Sequence, residues 1–245
     1  MSKPEHEKGA VCVTGAAGGI GVALIPRLLE EGYAVSAWDM APGPLASISS
    51  DRYAFHTLDT RNTAALAKAV AATRQRFGSI HGLVSLAATY RMQPFLEVDE
   101  ATFDQHFSIN LKGSLFAVQA VLPTLREQKS GAIVLFSSTL ARTGGAKSAA
   151  YAATKGGILG LARSLALEVA REGIRVNTVS PGLADTAMPR ANMEDADMRA
   201  RAAASPMKRL GMPIDMAEAA IFLLDSENSF MVGQDVRVTG AGLLF

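Results

Sequence analysis

Short apolar segments alternate with longer amphipathic segments along almost the whole chain, and this alternation restricts the possible folds more than any other feature. Seven apolar runs have the length of β-strands, at 10–14, 34–38, 54–58, 81–87, 131–138, 174–180 and 235–239. Four segments between them carry apolar residues at helical spacing, at 20–32, 62–76, 99–126 and 149–172. Strands that alternate with helices form right-handed βαβ units. The sequence therefore predicts an α/β fold with a doubly wound, seven-stranded parallel sheet and helices on both faces.

The chain of 245 residues suits one domain with a large buried core, and we predict a single domain over 1–245. Two prolines fall inside predicted helices. Pro26 indicates a kinked or shorter helix, and the helix that Asp99 would cap is expected to be interrupted or to end near Pro123. One long irregular stretch, about 181–212, is expected to be functional or mobile.

The charge balance and the N-terminal segment argue against several classes of protein. Lysines and arginines number 24 against 23 aspartates and glutamates, and no basic block indicates a nucleic-acid partner. The polar N-terminus lacks the apolar stretch of a signal peptide. No segment approaches the ~18 apolar residues that a membrane helix needs. We therefore expect a cytoplasmic protein with no membrane partner.

Cysteine and histidine usage gives no sign of a metal site. The one cysteine, Cys12, excludes an internal disulfide, fits a reducing compartment and reads as a buried strand residue. The histidines are scattered without metal-ligand spacing, so we expect no metal and read them as structural or surface residues: His6, His56, His81 and His106.

A glycine-rich turn follows the first strand and opens the first helix. Residues 14–21 read TGAAGGIG, with Gly15, Gly19 and Gly21 as the spaced glycines. Glycines let the backbone turn tightly and let a pyrophosphate approach N–H groups at a helix N-terminus. Taken alone, the stretch is also compatible with an ordinary strand-to-helix turn.

Asp39 at the end of the second strand favours the coenzyme interpretation of that turn. It follows Gly21 by 18 residues, and a carboxylate near that distance can accept hydrogen bonds from a ribose hydroxyl. The same carboxylate would repel a 2′-phosphate, and no lysine or arginine lies nearby in the sequence to hold one. The sequence therefore predicts NAD as cofactor, with NADP less favoured.

Tyr151 and Lys155 lie four residues apart in a predicted helix, on one face and one turn apart. A free phenol has a pKa of about 10, and a nearby ammonium lowers it. Such a pair can serve as a general acid–base on an alcohol or carbonyl, although alone it would also suit a helix surface. Ser138 ends the fifth strand, at the same sheet edge as the glycine turn, where ligands bind in open parallel sheets.

Taken together and in order, these motifs resemble the short-chain dehydrogenase/reductase family over the whole chain. The matching segments are TGAAGGIG, the SS before YAATK, NLKG at 110–113, IRVNTVSPG at 174–182 and RLGMP at 209–213. The resemblance implies a Rossmann-type fold, an NAD(P)-dependent oxidoreductase, and a homodimer or homotetramer packed through the 99–126 and 149–172 helices.

The resemblance also implies a role for each matching residue. Tyr151 would be the acid–base, Lys155 would lower its pKa and bind the nicotinamide ribose, and Ser138 would bind the reacting oxygen. Asn110 would hold a water that relays protons towards Lys155. The positions that match coenzyme contacts are Thr14, Gly15, Gly19, Ile20, Gly21, Asp39, Asp59, Ala87, Tyr151, Lys155, Pro181, Gly182 and Thr186.

Two segments depart from the family pattern. Residues 85–88 read SLAA where the family usually has Asn-Asn-Ala-Gly, so side-chain support for the neighbouring strands is expected to be lost. Residues 239–241 read TGA in place of Asp-Gly-Gly. Both changes concern coenzyme affinity and local stability, since neither removes a catalytic group.

The substrate is the least determined part of the prediction. The family implies a substrate-loop region at 183–208, and we predict Arg91, Arg142, Met188 and Arg190 as substrate contacts, with one of the arginines binding a carboxylate. The predicted reaction interconverts a secondary alcohol and a ketone on a small molecule such as a dihydrodiol, sugar or polyol, or hydroxysteroid. Two alternatives remain: a 3-oxoacyl-thioester reductase of the same family, and a non-catalytic dinucleotide sensor on the same fold.

Overall fold

The computed structural model describes residues 8–243, so His6 and both ends of the predicted 1–245 domain lie outside the described residues. All seven predicted strands are present, and two of them end two residues earlier than predicted. The strands are Ala10–Thr14 (β1), Ala34–Asp39 (β2), Tyr53–Thr57 (β3), Ile80–Ser85 (β4), Gly131–Phe136 (β5), Ile174–Pro181 (β6) and Asp235–Val238 (β7).

The strands form one parallel sheet in the order β3-β2-β1-β4-β5-β6-β7, which confirms the predicted fold class. Thr14 at the end of β1 pairs with Trp38 of β2 on one side and with Ser85 of β4 on the other. The strand order reverses between β1 and β4, and a crevice opens there beyond the strand ends. Such a switch point is where open α/β sheets bind ligands.

Helices cover both faces of the sheet, as predicted. The α-helices are Gly19–Glu30 (α1), Thr63–Phe77 (α2), Glu100–His106 (α3), Gly113–Gln128 (α4), Leu140–Thr143 (α5), Ala149–Val169 (α6), Ala187–Arg190 (α7), Asp195–Ala204 (α8) and Pro213–Leu224 (α9). Successive strand residues point to opposite faces. Val11 and Val13 therefore pack with α1 and α9, whereas Cys12, buried as predicted, packs with α2, α4 and α6.

Both helices continue through their prolines, so the helix is not shortened at Pro26 and the break predicted near Pro123 is wrong. α1 runs through Pro26 and α4 runs through Pro123 to Gln128. Both prolines lie on exposed faces, so water can satisfy the carbonyl that each proline leaves without its helical donor. The break in the predicted 99–126 helix lies earlier, where residues Phe107–Lys112 form a π-helical segment. Asp99 caps α3 as predicted, accepting a hydrogen bond from the Thr102 N–H.

The stretch after β6 is more regular than the sequence indicated. Residues 181–212, predicted to be irregular, contain α7 and α8. The helix α9, which was not predicted, follows directly and packs lengthwise against α1. Its apolar stripe, including Met216, Ala220 and Leu224, completes the core on that face of the sheet.

Within residues 8–243, no helix is both long and apolar enough to span a bilayer. In the same range, no three His, Cys, Asp or Glu side chains lie close enough together to hold a metal ion.

Candidate active site

The glycine turn between β1 and α1 is packed so closely that side chains would not fit. Gly15 has a φ of +63°, and a Cβ there would lie 2.6 Å from the Ala87 N–H nitrogen. A Cβ on Gly21 would lie 2.2 Å from the Ala16 carbonyl oxygen. A Cβ on Gly19 would lie 2.9 Å from the Thr186 Cγ2 atom. The predicted glycines therefore bring the turn against the loops after β4 and β6.

A cleft of about 1040 Å³ opens above this turn along the carboxyl ends of the strands. The glycine turn, Asp39 and Asp59 line one end, and Ser138, Tyr151 and Lys155 line the cleft further along. Of the predicted coenzyme contacts, those in the lining are Gly15, Gly19, Ile20, Gly21, Asp39, Asp59, Ala87, Tyr151, Lys155, Pro181, Gly182 and Thr186.

Asp39 also braces the glycine turn, which the sequence did not reveal. Its carboxylate accepts a hydrogen bond of 2.9 Å from the Ala17 N–H and one of 2.7 Å from the Met40 N–H. The side chain therefore fixes the turn while its remaining lone pairs face the cleft.

Arg61 lines the same end of the cleft, although no basic residue is near Asp39 in the sequence. Asp59 holds the Arg61 guanidinium with hydrogen bonds of 2.9 and 3.0 Å to the Nε atom. This pairing lowers the pKa of the Asp59 carboxyl. The predicted adenine-side carboxylate is thus already neutralised by a neighbour.

Ser138, Tyr151 and Lys155 lie together in the cleft. Ser138 follows the end of β5, and Tyr151 and Lys155 lie in the first turns of α6. The Lys155 Nζ donates a hydrogen bond of 2.8 Å to the Phe136 carbonyl and lies 5.6 Å from the centre of the Tyr151 ring. The end of β5 therefore orients the lysine beside the tyrosine.

Burial dominates the acid–base properties of this pair. It raises the pKa of the Tyr151 phenol, with the Ser138 hydroxyl acting in the opposite direction. Burial also lowers the pKa of Lys155 to about 8. The predicted lowering of the tyrosine pKa by the lysine is therefore not found in this structure, because burial raises this pKa and the opposing contribution comes from Ser138.

The cleft and its residues now allow comparison with known proteins. A family model described as "Enoyl-(Acyl carrier protein) reductase" matches residues 15–241, from the glycine turn to the segment after β7. The chain belongs to the short-chain dehydrogenase/reductase family. The resemblance predicted from the motifs is thereby confirmed.

Relatives of this short-chain dehydrogenase/reductase match nearly its full length. One is a Sinomonas cyclohexanicum protein named cis-4-hydroxycyclohexanecarboxylate dehydrogenase, 40% identical over 98% of both chains. A Brucella melitensis structure described as "Short-chain dehydrogenase/reductase SDR:Glucose/ribitol dehydrogenase" has 33% identity and a TM-score of 0.91 over 100% of both chains. The structure "ElxO with NADP Bound" has 25% identity and a TM-score of 0.88, covering 95% of this chain and 98% of its own.

In this short-chain dehydrogenase/reductase, Asn110 lies in the π-helical segment and its amide is engaged by protein groups. The Oδ1 atom accepts a hydrogen bond of 2.7 Å from the Thr89 N–H. The Nδ2 group donates to the Thr89 carbonyl at 3.0 Å and to the Thr154 hydroxyl at 3.1 Å. Both amide hydrogens are therefore used to join the loop after β4 to α6. The sequence did not indicate Thr89 or Thr154 as partners, because they lie far from Asn110 along the chain.

Hydroxyl groups replace the amide support that the SLAA segment was expected to lack. The Ser85 hydroxyl donates to the Ser114 hydroxyl at 3.1 Å, and Ser114 donates to the Asn110 carbonyl at 2.8 Å. Thr14 lies 3.4 Å from the Ser85 hydroxyl and accepts from the N–H groups of Leu86 and Ala87 at 3.2 Å. Thr14 is thus buried beneath the turn, where its hydroxyl supports the loop after β4, and its predicted coenzyme contact stays a prediction.

The three arginines predicted to contact the substrate are not in the cleft lining. Arg142 pairs with Asp235 at 3.0 Å. Arg190 pairs with Asp185 at 2.6 Å and with Asp195 at 3.0 Å. Arg91 is exposed outside the cleft, with its backbone N–H bonded to His106. The carboxylate partners of Arg142 and Arg190 direct their guanidinium groups to the surface.

The region 183–208 does contribute to the cleft, through residues that include the predicted Met188. Asn192 ties this region to the loop after β4. Its amide accepts from the Met92 N–H at 2.8 Å and donates to the Tyr90 and Met188 carbonyls at 3.1 and 2.9 Å. Two cationic residues that the sequence did not indicate, Lys147 and Arg201, also line the cleft.

Proposed function

We propose that this short-chain dehydrogenase/reductase interconverts a secondary alcohol and a ketone, with NAD as the preferred hydride carrier. The observation that carries the proposal is one cleft that holds Ser138, Tyr151 and Lys155 together with the glycine turn. A hydride transfer from or to an alcohol carbon requires a proton transfer at its oxygen. The cleft supplies residues for that proton beside a turn suited to a dinucleotide.

The residues at the turn fit a dinucleotide. The close approach of Gly15 and Gly21 to their neighbours leaves the N–H groups at the start of α1 open to the cleft for a pyrophosphate. Pro181, Gly182 and Thr186 would flank the nicotinamide, and Ala87 and Asp59 would flank the adenosine. When bound, the nicotinamide accepts or donates the hydride.

The proton transfer is assigned to Tyr151. Its raised pKa keeps the phenol protonated at neutral pH, and this form can donate a proton to the oxygen of a ketone. For oxidation of an alcohol the phenol must first lose its proton, and the Lys155 ammonium beside the ring favours the resulting phenolate. The Ser138 hydroxyl would donate a hydrogen bond to the substrate oxygen in both directions. Asn110 would act through α6, since its amide fixes Thr154 next to Lys155.

Asp39 supports NAD over NADP. Its carboxylate lines the cleft where a ribose 2′-hydroxyl would lie and would repel a 2′-phosphate. Arg61 is the basic side chain at that end, and Asp59 already binds its guanidinium. The neighbour ElxO holds NADP in its solved structure, so both coenzymes belong in any assay.

The substrate class follows from the lining and from one relative. Apolar side chains dominate the part of the cleft beyond Tyr151. Met92, Met188 and Met193 are among them. The relative named cis-4-hydroxycyclohexanecarboxylate dehydrogenase suggests a small alicyclic secondary alcohol. This class is closer to the predicted dihydrodiol than to a sugar, because sugars need many polar partners.

The test is a panel of secondary alcohols and ketones assayed with NAD(H) and NADP(H) at the nicotinamide absorbance. Alicyclic alcohols, polyols, hydroxysteroids and a 3-oxoacyl thioester form its arms. Turnover of an alicyclic alcohol, faster with NAD, is expected. Tyr151→Phe should lose roughly a hundredfold or more in kcat while NADH binding, measured by fluorescence, is retained.

Two outcomes would redirect the proposal. Turnover of the thioester alone, with NADPH, would identify a 3-oxoacyl-thioester reductase, the activity in the name of a Thermotoga maritima relative that is 32% identical. Tight NADH binding without turnover of any compound would favour a dinucleotide sensor on the same fold. Near-normal turnover by Tyr151→Phe would remove Tyr151 from the mechanism.

We also propose a homodimer or homotetramer that packs through α4 and α6. Leu115 of α4 and Leu167 of α6 are 39% and 86% exposed. Open space lies above Gly156 and Gly160 of α6, where a second helix could approach. Light scattering on the purified protein gives the number of subunits directly.

A further inference from the structure

The substrate half of the cleft has two cationic residues without a carboxylate partner. Lys147, in the loop before α6, and Arg201, in α8, both line it. Within residues 8–243, neither side chain forms an ion pair or donates a hydrogen bond to another residue. Asp197 precedes Arg201 by one helical turn of α8. Even so, the part of the chain that the structure describes shows no ion pair between these two residues.

Other arginines around the cleft are bound by carboxylates. Arg61 pairs with Asp59, Arg142 with Asp235 and Arg190 with Asp185. Arg142 and Arg190 lie outside the lining, and Arg61 lines the cleft but is held by Asp59. Arg201 is exposed, lines the cleft and has no carboxylate partner among residues 8–243. A planar guanidinium with free donors matches a carboxylate with two parallel hydrogen bonds.

The carboxylates of the described lining lie at the coenzyme end. Asp39 braces the glycine turn, and Asp59 binds Arg61 next to it. The lining also includes Leu140, Leu183 and the methionines of the substrate region. Away from the coenzyme end, the described lining is therefore largely apolar and carries the positive charges of Arg201 and Lys147 without an acidic residue.

We propose that Arg201 and Lys147 form an anion subsite, and that the substrate is a secondary alcohol that carries a carboxylate on an apolar ring or chain. This rests on the proposed function for the reaction itself. A coenzyme A thioester fits less well, because its pantetheine arm separates its phosphates from the reacting carbonyl. Its anionic groups would then lie beyond the cleft that Arg201 and Lys147 line.

A binding measurement tests the subsite without requiring turnover. The NADH-loaded protein is titrated calorimetrically with cyclohexanecarboxylate and with the neutral, similarly shaped cyclohexanecarboxamide. The wild type should bind the carboxylate roughly tenfold more tightly or better, and the preference should weaken as salt is raised. Arg201→Met should remove most of the preference and leave amide binding unchanged, and Lys147→Met should reduce it by a smaller factor.

Arg199→Met is the matched control, since Arg199 lies two residues away on α8, is exposed and is outside the cleft lining. It should keep the full preference. Equal binding of carboxylate and amide by the wild type would overturn the proposal. So would an equal loss of preference in Arg199→Met and Arg201→Met.

Kinetics then separate the subsite from the reaction. With 4-hydroxycyclohexanecarboxylate and its carboxamide as substrates, Arg201→Met should raise KM for the acid alone, because it removes binding made equally in ground and transition states. Carboxylate binding without turnover of any alcohol would sink the proposed function and leave the subsite standing. Turnover of acyl thioesters alone, dependent on Arg201, would overturn the carboxylate assignment.

Discussion

The ring of Tyr90 packs against the ring of Tyr151, with ring centres 4.5 Å apart and planes inclined by 50°. The Tyr90 hydroxyl is hydrogen-bonded to the Ser148 hydroxyl at 2.8 Å, just before α6 begins. The loop after β4 thus holds the proposed acid–base residue from one side. Tyr90 also lines the cleft, so it can position Tyr151 and meet the substrate.

Two variants of Tyr90 should separate its ring contact with Tyr151 from its hydrogen bond with Ser148. Tyr90→Phe keeps the ring and loses the bond to Ser148, and we expect kcat to change little. Tyr90→Ala removes a ring pair worth about 1 kcal/mol, so kcat should fall roughly fivefold or more. Steady-state kinetics with the alcohol that the wild type turns over fastest measure kcat for both variants. Equal kcat values for Tyr90→Ala and the wild type would show that the ring contact does not position Tyr151.

Asn192 is expected to keep the 183–208 region closed over the cleft. Asn192→Ala removes two hydrogen bonds that join this region to the loop after β4 and one to Met188 within the region. We expect faster tryptic cleavage after Arg190, Arg199 or Arg201 and a higher KM for substrate, with the cut sites identified by mass spectrometry. Asn192→Asp keeps an acceptor for the Met92 N–H but loses both donors. Its cleavage rate and its KM should lie between those of the wild type and of Asn192→Ala. Unchanged cleavage in both variants would contradict the assignment.

Asp39 should set the coenzyme preference. Asp39→Asn removes the negative charge and retains an oxygen for the Ala17 N–H bond. Because the lost repulsion is worth about 1 kcal/mol or more at close range, the ratio of kcat/KM for NADP to that for NAD should rise roughly tenfold. Asp51→Asn, at an exposed position outside the cleft, is the control and should leave the ratio unchanged. No change in Asp39→Asn would argue against this carboxylate as the discriminating group.

Lys155 should make stability depend on pH in a defined direction. Its pKa in the folded chain is about 8, below the ordinary value of 10.5, so between these values the unfolded chain binds more protons at this site. The free energy of unfolding should therefore rise with pH across this range, relative to Lys155→Met, by a few kcal/mol at most. The cost of burying the ammonium is present in full below about pH 8.

Urea unfolding of the coenzyme-free wild type and Lys155→Met between pH 7.5 and 10.5 measures this difference over the window set by the two pKa values. Lys68→Met, which replaces an exposed lysine of α2, measures the effect of removing a lysine from the surface. A difference between wild type and Lys155→Met that stays constant with pH would show that the lysine is not perturbed by burial.

Much of the fold could be predicted because its determinants are local. Strand and helix periods depend on neighbouring residues, so the seven strands and their parallel direction followed from alternation alone. The helix α9 was not predicted, although its buried residues recur at helical spacing. The break near Pro123 was predicted wrongly because the effect of a proline depends on which helix face meets water, and that is decided by packing.

Some residues of the candidate site could likewise be predicted from the sequence, and others could not. Gly15, Gly21, Tyr151 and Lys155 could be found in the sequence because a tight turn needs glycine and a helix aligns residues four apart. The partners of Asn110 and Asn192 could not, since the Asn192 bond to the Tyr90 carbonyl joins residues 102 apart.

The sequence by itself therefore determined the parallel sheet, the glycine turn and the alignment of Tyr151 with Lys155, because each depends on short-range backbone geometry. Tertiary structure alone decided which cations face the cleft. Arg142 is turned away by Asp235, 93 residues distant, whereas Arg201 lines the cleft without such a partner among residues 8–243. The long arginine side chain places its guanidinium against a carboxylate within reach, and only the folded chain establishes which carboxylate that is.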